Sequence, residues 1–483
     1  MPRPKKVRSS VPRAPRGRSS RRSPARRPAG GSDPPPSADV SFFRAYDVRG
    51  RYPSELSPAV GRRMGRTIGL LFPGPFLVAR DTRTQSKGFQ QALVAGLKTT
   101  QRPVTSLGIL PTPAISFAAE RHHRYGMEVS PSHNPIGYTG LKIFGPSGRV
   151  FTREWKTVRT AFLSERPPAR RGTGPSGARR PGPIDQAGLS KEYLSFVTAG
   201  LSSEIRMVAD CRGGATADLG PRALRSLGVD LRLQRAEFAS EAGRFSPEPE
   251  RGHLEELSSE VTSTGADLGV TFDGDGDRVM FVDRAGRMVE PEVVAMILYD
   301  RIGSRDHPLV ASLDCASRLE ELVPTFRCAV GSRFVVTAMA QQRSPVGVEA
   351  SSHYYLRRFG PNSDGILIAC QLAHILSSER DILERYSERL GPVARGSVTW
   401  DFPGQTELVQ AFEAVEALAK PMARQEIDGF SISTSDGRCL FRRSNTQPTL
   451  RAMLEAKDAD GMERLSRTVR KLVAEASPRP SRE

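Results

Sequence analysis

The chain has 483 residues, of which 38% are hydrophobic, and a formal net charge of +18. At roughly 100 to 200 residues per domain, this length predicts three or four domains with cores of their own. The longest apolar stretch, residues 68–79, is interrupted by Pro73 and Pro75 and falls short of the roughly 18 residues that a membrane span needs. The sequence therefore predicts a soluble protein with no membrane partner.

The first 40 residues hold half of the excess positive charge, with eleven Lys and Arg side chains against Asp33 and Asp39. This segment is rich in Pro, Ser and Arg and nearly free of large apolar side chains, so we expect a disordered basic N-terminal tail. Its proline density excludes the amphipathic helix of a transit peptide, and it lacks the apolar segment of a secretion signal. A solvated extension is favoured over an arm that binds a polyanion.

The five cysteines are scattered along the chain, and none forms a Cys-x-x-Cys pair. An odd number without paired spacing is typical of reduced thiols, which predicts a cytoplasmic protein. The sequence shows no aromatic-rich basic groove and no nucleic-acid motif, so nucleic acid is not expected as a partner despite the basic tail.

A buried-type strand that leads into an aspartate occurs three times. The segments FLVARD, RMVADC and LVASLDC carry Asp81, Asp210 and Asp314, and each precedes a helix-like pattern. Alternation of strands and helices is typical of α/β units with largely parallel sheets. The recurrence predicts three successive α/β domains of similar build. Their predicted bounds are 41–186, 187–288 and 289–395.

Changes of composition mark the other boundaries. Residues 165–183 combine Pro, Gly and Arg in the manner of a loop or linker. A smaller α+β domain is predicted over residues 396–476, with a short tail at 477–483. Its last helix is indicated by an apolar stripe at helical spacing. The stripe consists of Leu465, Val469, Leu472 and Val473.

The most specific pattern is TFDGDGDRVMFVD, in which Asp273, Asp275 and Asp277 alternate with glycines between two strand-like segments. Carboxylates at every second residue converge on one hard cation when glycines let the backbone curl. An EF-hand is excluded because Arg278 stands at its sixth position and Arg284 at its twelfth. Oxygen ligands alone on a short loop predict Mg²⁺, and the alternative is an acidic hairpin turn without metal.

The segment SPSHNP places Ser132 between two prolines. Each proline fixes φ near −65° and removes a backbone donor, so the loop is predicted to be stiff and to hold the Ser132 hydroxyl outward. The segment alone also fits a surface turn. With a Mg²⁺ loop in the same chain, the hydroxyl becomes a candidate to carry a phosphoryl group, because a cation spreads the charge. His133 and Lys142 are possible donors nearby.

The segment GVEASSHYY concentrates Glu349, Ser351, Ser352 and His353 within five positions. A carboxylate and hydroxyls bind adjacent sugar hydroxyls, and a titratable imidazole exchanges protons with a reacting oxygen. By itself the pattern fits an ordinary polar loop equally well.

The segment FRRSNTQP follows a strand-like run near the end of the chain. Arg442 offers a planar fork of donors, and Ser444, Asn445 and Thr446 offer small donors on a turn. This set suits a phosphate monoester, and the alternative is a capped turn that uses the same residue types.

In chain order, FRAYDVRG, SPSHNPIGYTGLK, DGDGDR, EASSH and RRSNTQP resemble the signature loops of the α-D-phosphohexomutases, particularly of the phosphomannomutase/phosphoglucomutase branch. The resemblance runs from about residue 41 to 476. It implies a heart-shaped enzyme of four domains with one loop of each domain in a central cleft. It also implies Mg²⁺ as the cofactor, a phosphosugar as the substrate and a hexose 1,6-bisphosphate as the activator.

The resemblance also assigns a role to each loop. Ser132 would carry the phosphoryl group, and the reaction would interconvert the 1- and 6-phosphates of mannose or glucose through a bisphosphorylated sugar. The implied metal ligands are Ser132, Asp273, Asp275 and Asp277. The implied catalytic residues are Ser132, His133, Lys142, Arg278 and His353. The implied substrate-binding residues are Tyr46, Arg49, Glu349, Ser351, His353, Arg442, Ser444, Asn445 and Thr446.

Five positions differ from what members of this family commonly carry, namely Pro131, Asp314, Ser332, Val348 and Ser352. Asp314 stands where the family often has Lys, and Ser352 stands where Gly is usual. These differences leave two alternatives open. One is a mutase for another sugar phosphate, such as glucosamine or a pentose, and the other is a phosphosugar-binding or regulatory protein without turnover. Both a monomer and a dimer are compatible with the sequence.

Overall fold

The protein is described by a computed structural model over most of its length. The described residues are 42–44, 47–132, 134–164, 184–238, 254–303, 305–444 and 448–476. The predicted basic tail, the predicted linker at 165–183 and the predicted tail at 477–483 lie outside these stretches. All five cysteines are buried as free thiols, as their spacing predicts. Among the described residues, no helix is both long and apolar enough to cross a membrane.

The first sheet has the strand order β1-β5-β4-β2-β3. Strand β2 pairs in parallel with β3 and β4, whereas β5 runs antiparallel to β4 and to β1. The elements are β1 (Val48–Arg51), α1 (Pro58–Leu71), β2 (Phe76–Arg80), α2 (Thr84–Lys98), β3 (Val104–Ile109), α3 (Thr112–Arg121), β4 (Tyr125–Val129), β5 (Tyr138–Phe144) and α4 (Glu154–Leu163). Helix α1 begins at a capped turn, in which the Ser57 hydroxyl accepts the Val60 N–H and Pro58 occupies the first helical position.

The second sheet repeats this plan with the order β10-β9-β8-β6-β7. Strand β6 is parallel to β7 and β8, and β9 is antiparallel to β8. The elements are α5 (Gln186–Val197), β6 (Arg206–Asp210), α6 (Leu219–Ser226), β7 (Asp230–Gln234), α7 (Glu255–Thr264), β8 (Leu268–Phe272), β9 (Val279–Asp283) and β10 (Met288–Val289).

The third sheet has the order β12-β11-β13-β14, with β11 parallel to β12 and β13 and with β14 antiparallel to β13. The elements are α8 (Pro291–Arg301), β11 (Leu309–Ser312), α9 (Leu319–Leu322), β12 (Thr325–Cys328), α10 (Ser332–Gln342), β13 (Val346–Val348), β14 (Tyr354–Leu356), α11 (Gly365–Ser378) and α12 (Ile382–Leu390). Three parallel strands followed by one antiparallel strand are thus common to all three sheets, which confirms the predicted repeat.

This shared plan brings the three candidate loops to equivalent places. Strands β2, β6 and β11 lead into Asp81, Asp210 and Asp314, and their parallel neighbours are β4, β8 and β13. The Ser132 loop follows β4, the acidic loop follows β8 and the Glu349 loop follows β13. Parallel strands all end at the same edge of a sheet, and that edge is where loops of α/β folds bind ligands.

The fourth sheet is antiparallel, with the order β15-β19-β18-β17-β16. Its elements are β15 (Ala394–Asp401), α13 (Gln405–Ala419), β16 (Ala423–Glu426), β17 (Gly429–Ser433), β18 (Gly437–Arg443), β19 (Thr449–Ala456) and α14 (Ala459–Ala476). On α14, Leu465, Val469 and Val473 are fully buried and Leu472 packs partly buried against the same core. The predicted apolar stripe and the predicted small α+β domain are confirmed.

A buried ion pair joins β15 of the fourth sheet to the start of α8. Arg395 on β15 donates to Glu290, at 2.8 Å, and to Glu292 at the start of α8. The Glu292 side chain is fully buried and also accepts the Ala316 N–H at 2.7 Å. Burial alone would raise the pKa of Glu292, but the Arg395 guanidinium and the Ala316 amide together lower it. Glu292 is therefore a buried carboxylate that depends on its cation.

Replacing Arg395 by alanine should lower the free energy of unfolding by about 3–5 kcal/mol, because it leaves the charge of Glu292 buried without its cation. The folded pKa of Glu292 is below its ordinary value of 4.5, so the stabilisation is present above that pH and disappears as the pH falls through the folded pKa. Urea unfolding at pH 7 and below pH 4 measures both effects. Arg464→Ala, which removes an exposed pair with Asp436, should change stability far less than Arg395→Ala, because solvent screens the pair; equal losses in the two variants would contradict the prediction.

Candidate active site

The acidic loop begins directly after β8. The Asp273 carboxylate accepts the backbone N–H of Gly276 at 2.8 Å and that of Arg278 at 3.2 Å, which curls the loop back on itself. Gly276 has φ +78°, a left-handed conformation that glycine adopts without strain. One oxygen from each of Asp273, Asp275 and Asp277 lies within 4.8 Å of the other two. The glycines thus bring the three carboxylates to one point, as the spacing predicts.

The three carboxylates fit a bound cation. Asp273 and Asp275 are fully buried, and the Oδ1 atom of Asp275 has no hydrogen-bond partner among the described residues. An unsatisfied carboxylate oxygen in a buried position is costly unless a positive charge binds it. The donors are all oxygen atoms, which hard cations such as Mg²⁺ prefer. The cluster therefore has the chemistry of a Mg²⁺ site.

Lys142 on β5 lies against this cluster. Its ammonium group donates to Asp275 Oδ2 at 2.7 Å and to Asp277 Oδ2 at 2.8 Å. Burial would lower the pKa of Lys142, but the two carboxylates raise it above its ordinary value, so the side chain stays charged. Asp275 Oδ2 also accepts the Thr112 hydroxyl at 2.8 Å. One edge of the cluster is thus occupied by protein donors.

The charges of the cluster differ between its members. Burial raises the pKa of Asp273 well above its ordinary range, and repulsion from Asp275 and Asp277 raises it further. Burial also acts to raise the pKa of Asp277, but Lys142 and His353 lower it well below that range. Asp277 is therefore ionised at neutral pH, whereas a cation bound beside Asp273 would lower its raised pKa, as Arg278 and Lys142 already do in part.

Ser132 faces the acidic loop from the first domain. Its Oγ lies 3.5 Å from Asp273 Oδ2, and its backbone N–H donates to Ser130 Oγ at 3.0 Å. The residue is 3% exposed and has φ +55°. The prediction that the loop holds this hydroxyl outward is wrong, because Ser132 is buried and its hydroxyl faces a carboxylate of the acidic loop.

Arg49 fixes the other side of the same loop. Its guanidinium donates to Asp47 Oδ2 at 2.7 Å and to Asn134 Oδ1 at 2.9 Å. Burial would lower the pKa of Arg49, but Asp47, with a further contribution from Asp275, raises it above its ordinary value. Arg49 therefore adds a permanent positive charge near the acidic cluster. Two of the predicted residues in this region, Tyr46 and His133, lie outside the described residues.

The Glu349 loop reaches the acidic cluster through His353. The imidazole Nε2 lies 3.4 Å from Asp277 Oδ1, and Nδ1 lies 2.9 Å from Ser351 Oγ. Glu349 is buried and accepts the Tyr355 hydroxyl at 2.7 Å and the Ser332 hydroxyl at 3.3 Å. His353 thus joins the Glu349 loop to the acidic loop.

Two of the residues that depart from the common family pattern take part in this arrangement. Ser352 has φ +67°, the left-handed conformation that a glycine adopts with less strain. Asp314 accepts the Ser312 hydroxyl, and burial together with repulsion from Glu349 raises its pKa against the opposing effects of Ser312 and Arg442. Asp314 is therefore near enough to both Glu349 and Arg442 to respond to their charges.

The loop that was predicted to bind a phosphate lies in the fourth domain at the end of β18. Arg442 donates to Asp428 Oδ2 from Nε at 2.9 Å and from Nη2 at 2.6 Å. The Ser444 N–H donates to the Thr449 carbonyl at 2.9 Å. Asn445 and Thr446 lie outside the described residues. The guanidinium that was expected to bind phosphate is held by Asp428, which also fixes its orientation.

Sequence reasoning missed several side chains that contact these loops. They are Arg83, Thr112, Ser130 and Tyr355. The Asp-x-Arg turn directly after β2 was a usable signal for Arg83, since it repeats as Asp210-x-Arg212 after β6. Thr112 had no such signal, because it meets Asp275 only through the packing of two domains.

Four consecutive stretches of the chain match the four domains of one family, which is named phosphoglucomutase/phosphomannomutase. Residues 41–166, 190–286 and 291–392 match its alpha/beta/alpha domains I, II and III, and residues 403–472 match its C-terminal domain. The chain belongs to the α-D-phosphohexomutase superfamily. The resemblance of the loops to that superfamily is thereby confirmed over all four domains.

Relatives with known names align with most of the phosphohexomutase chain. A phosphoglucosamine mutase of Pseudomonas fluorescens is 28% identical over 458 residues, which are 90% of this chain and 99% of that protein. A phosphoglucosamine mutase of Lacticaseibacillus casei is 29% identical over 87% of this chain and 95% of its own. A phosphoglucomutase/phosphomannomutase family protein of Burkholderia thailandensis, 23% identical, has the same fold with a TM-score of 0.78 over 91% of this chain and 98% of its own.

Proposed function

We propose that the chain is a Mg²⁺-dependent phosphohexomutase that moves a phosphoryl group between the 1- and 6-positions of a hexose by way of Ser132. One observation carries this proposal: the buried Ser132 hydroxyl lies 3.5 Å from a carboxylate of the three-aspartate cluster. A hydroxyl beside a cation site is the arrangement that phosphoryl transfer needs, because the transferred group is highly charged. Asp273, Asp275 and Asp277 would hold the cation, which spreads that charge when bound.

In the proposed cycle, Ser132 begins as a phosphoserine. The free 6-hydroxyl of a hexose 1-phosphate attacks phosphorus, the new P–O bond forms as the bond to Ser132 Oγ breaks, and the hydroxyl proton passes through a neighbouring base to Oγ. The bisphosphorylated sugar then reorients in the site, so that its 1-phosphate faces Ser132. That phosphoryl group is transferred to Ser132 Oγ by the reverse exchange. The product is the hexose 6-phosphate, and the phosphoserine is restored.

The surrounding side chains divide the remaining work. His353 is the titratable group that lies between the sugar loop and the acidic loop, so it suits the exchange of protons with the reacting oxygens. Lys142 and Arg278 stabilise the negative charge of the transferred phosphoryl group. The ammonium of Lys142 stays protonated beside its two carboxylates. Glu349 and Ser351 would bind sugar hydroxyls, and Arg442, with Ser444, would bind the phosphate at the far end of the sugar.

The proposed sugar is glucosamine phosphate, with glucose and mannose phosphates as the second candidates. Curated relatives that span about 90% of this chain are named phosphoglucosamine mutase. In addition, burial and the negative charge of Glu349 raise the pKa of Asp314, and an ammonium group on the substrate would favour the ionised form of that carboxyl. The second candidates rest on the Ser-Asn-Thr sequence of residues 444–446, which is typical of the phosphomannomutase/phosphoglucomutase branch.

Phosphorus NMR distinguishes these sugars. With Mg²⁺ and a trace of glucose 1,6-bisphosphate, glucosamine 1-phosphate should convert to its 6-phosphate with a kcat/KM at least about 10-fold above those of glucose and mannose 1-phosphates. Asp314→Asn should reduce that preference, because it removes one of the two negative charges. Faster turnover of glucose or mannose would favour the second candidates. Binding of a sugar phosphate without any turnover would favour a phosphosugar-binding or regulatory protein.

A further inference from the structure

Arg83 holds the Ser132 loop through four backbone carbonyls, of which that of Tyr138 is the most distant, at 3.5 Å from Nη1. Its Nη2 donates to the carbonyl of Ser132 at 2.9 Å and to that of Asn134 at 2.7 Å, and its Nη1 donates to that of Pro135 at 2.9 Å. The side chain is buried directly after β2, whose parallel neighbour β4 leads into the loop. The guanidinium of Arg83 therefore binds most of the turn that carries Ser132, the candidate nucleophile.

Asp81 completes this connection from the other side of Ser132. The Ser130 hydroxyl donates to Asp81 Oδ2 at 3.0 Å and accepts the Ser132 N–H at 3.0 Å. Asp81 Oδ1 accepts the Arg83 N–H at 3.1 Å, and its Oδ2 lies 3.5 Å from the Arg83 Nε. Both backbone groups of Ser132 are thus tied to the Asp81–Arg83 pair, the N–H through Ser130 and the carbonyl directly.

The conformation of Ser132 explains why such a connection is needed. A non-glycine residue with φ +55° is in a disfavoured conformation and persists where its surroundings hold it. Burial lowers the pKa of Arg83 against the opposing charges of Asp81 and Asp275, so this guanidinium is desolvated as well. The strained backbone at Ser132 and the buried guanidinium of Arg83 stabilise each other. The loop supplies the carbonyls that the guanidinium needs as acceptors, and the guanidinium holds the loop in its strained conformation.

We propose that Arg83 is a positioning residue for phosphoryl transfer, which holds Ser132 so that Oγ faces Asp273 throughout the cycle. This inference rests on the proposed function. Loss of the guanidinium should lower kcat and leave KM nearly unchanged, because the predicted sugar and phosphate contacts lie in other loops. It should also shorten the life of the phosphoserine. In that side reaction, a water oxygen bonds to phosphorus as the P–Oγ bond breaks, and Oγ takes up a proton, which gives free serine and inorganic phosphate.

The test compares Arg83→Ala and Arg83→Lys with a matched control, Arg63→Ala. Arg63 lies in the same domain and also donates to two carbonyls, those of Phe162 at 2.7 Å and Ser164 at 3.1 Å, away from the Ser132 loop. For each protein, kcat and KM are measured, the phosphoserine formed from glucose 1,6-bisphosphate is followed by intact mass, and thermal stability is recorded. Ethylguanidinium is then added to Arg83→Ala, because it fits the space of the missing group.

We expect kcat of Arg83→Ala to fall by about 100-fold, as displacement of a reacting group by about 1 Å does, with KM within about threefold of the wild type. The half-life of its phosphoserine should fall by about 10-fold, ethylguanidinium should restore at least part of kcat, and Arg83→Lys should lie between alanine and wild type. The inference is overturned if kcat falls no more than in Arg63→Ala. It is also overturned if KM rises as much as kcat falls, or if the loss only follows thermal stability without rescue.

The wild-type protein separates failure of this inference from failure of the proposed function. A wild type that neither isomerises a sugar phosphate nor takes up a phosphoryl group contradicts the proposed function itself. The role of Arg83 is then decided by hydrogen–deuterium exchange of the peptide that contains residues 130–137. Faster exchange in Arg83→Ala than in Arg63→Ala supports the holding role, and equal exchange overturns it.

Discussion

Replacing Ser132 by alanine should abolish isomerisation, with a fall in kcat of at least about 10⁴-fold, because it removes the proposed carrier of the phosphoryl group. The loop should keep its conformation, since the contacts of its backbone with Arg83 and Ser130 do not involve the Ser132 side chain. The affinity for the sugar phosphate should therefore change little. Phosphorus NMR measures the turnover, and isothermal titration measures the binding.

The matched control for this variant is Ser190→Ala, which removes a buried hydroxyl on α5, outside the candidate loops. It should keep the kcat of the wild type. Intact mass of the wild type after treatment with glucose 1,6-bisphosphate should show one added phosphoryl group, which Ser132→Ala lacks. If Ser132→Ala still isomerises the sugar or still takes up the group, then a different residue is the carrier and the proposed cycle is wrong.

The elements were predictable because they depend on local patterns. Buried strands such as Phe76–Arg80 and Leu268–Phe272 are continuous apolar runs, and the alternation of Asp and Gly at 273–277 fixes the curled loop through its own backbone N–H bonds. The repeat of a strand with a following aspartate is likewise local to each domain. These features follow from residues within about a dozen positions of one another.

The environment of the nucleophile was not predictable in the same way. Ser132 and Asp273 are separated by 141 positions, and Lys142 and Asp275 by 133, so their contacts exist only after two domains have packed. The two prolines predict a stiff loop, but they carry no information on which side of the loop meets another domain. The Asp-x-Arg turn was a signal for Arg83, but its carbonyl partners lie 49 to 55 positions further along the chain and are known only from the fold.

Replacing Asp275 by asparagine should raise the apparent Kd for Mg²⁺ by at least about 10-fold and lower kcat by about 100-fold or more. The variant keeps the shape of the side chain but removes a buried charge from the cation site, and each 1.4 kcal/mol of lost charge stabilisation is a factor of ten in rate. Titration of activity with Mg²⁺ after treatment with a chelator measures both constants. The wild type should lose its activity to the chelator and regain it on addition of Mg²⁺.

Asp218→Asn is the matched control, because Asp218 is half exposed in the same domain and pairs with Arg222 on the surface. Its Mg²⁺ dependence should equal that of the wild type. Asp275 also binds Lys142, so the variant removes one of the two carboxylates that raise the pKa of that ammonium. A pH profile of kcat that shifts while the Mg²⁺ dependence stays normal would show that Asp275 serves Lys142 and not the cation. If Asp275 is a ligand of the cation, the variant should bind Mg²⁺ more weakly at every pH, because the lost carboxylate charge acts directly on the metal.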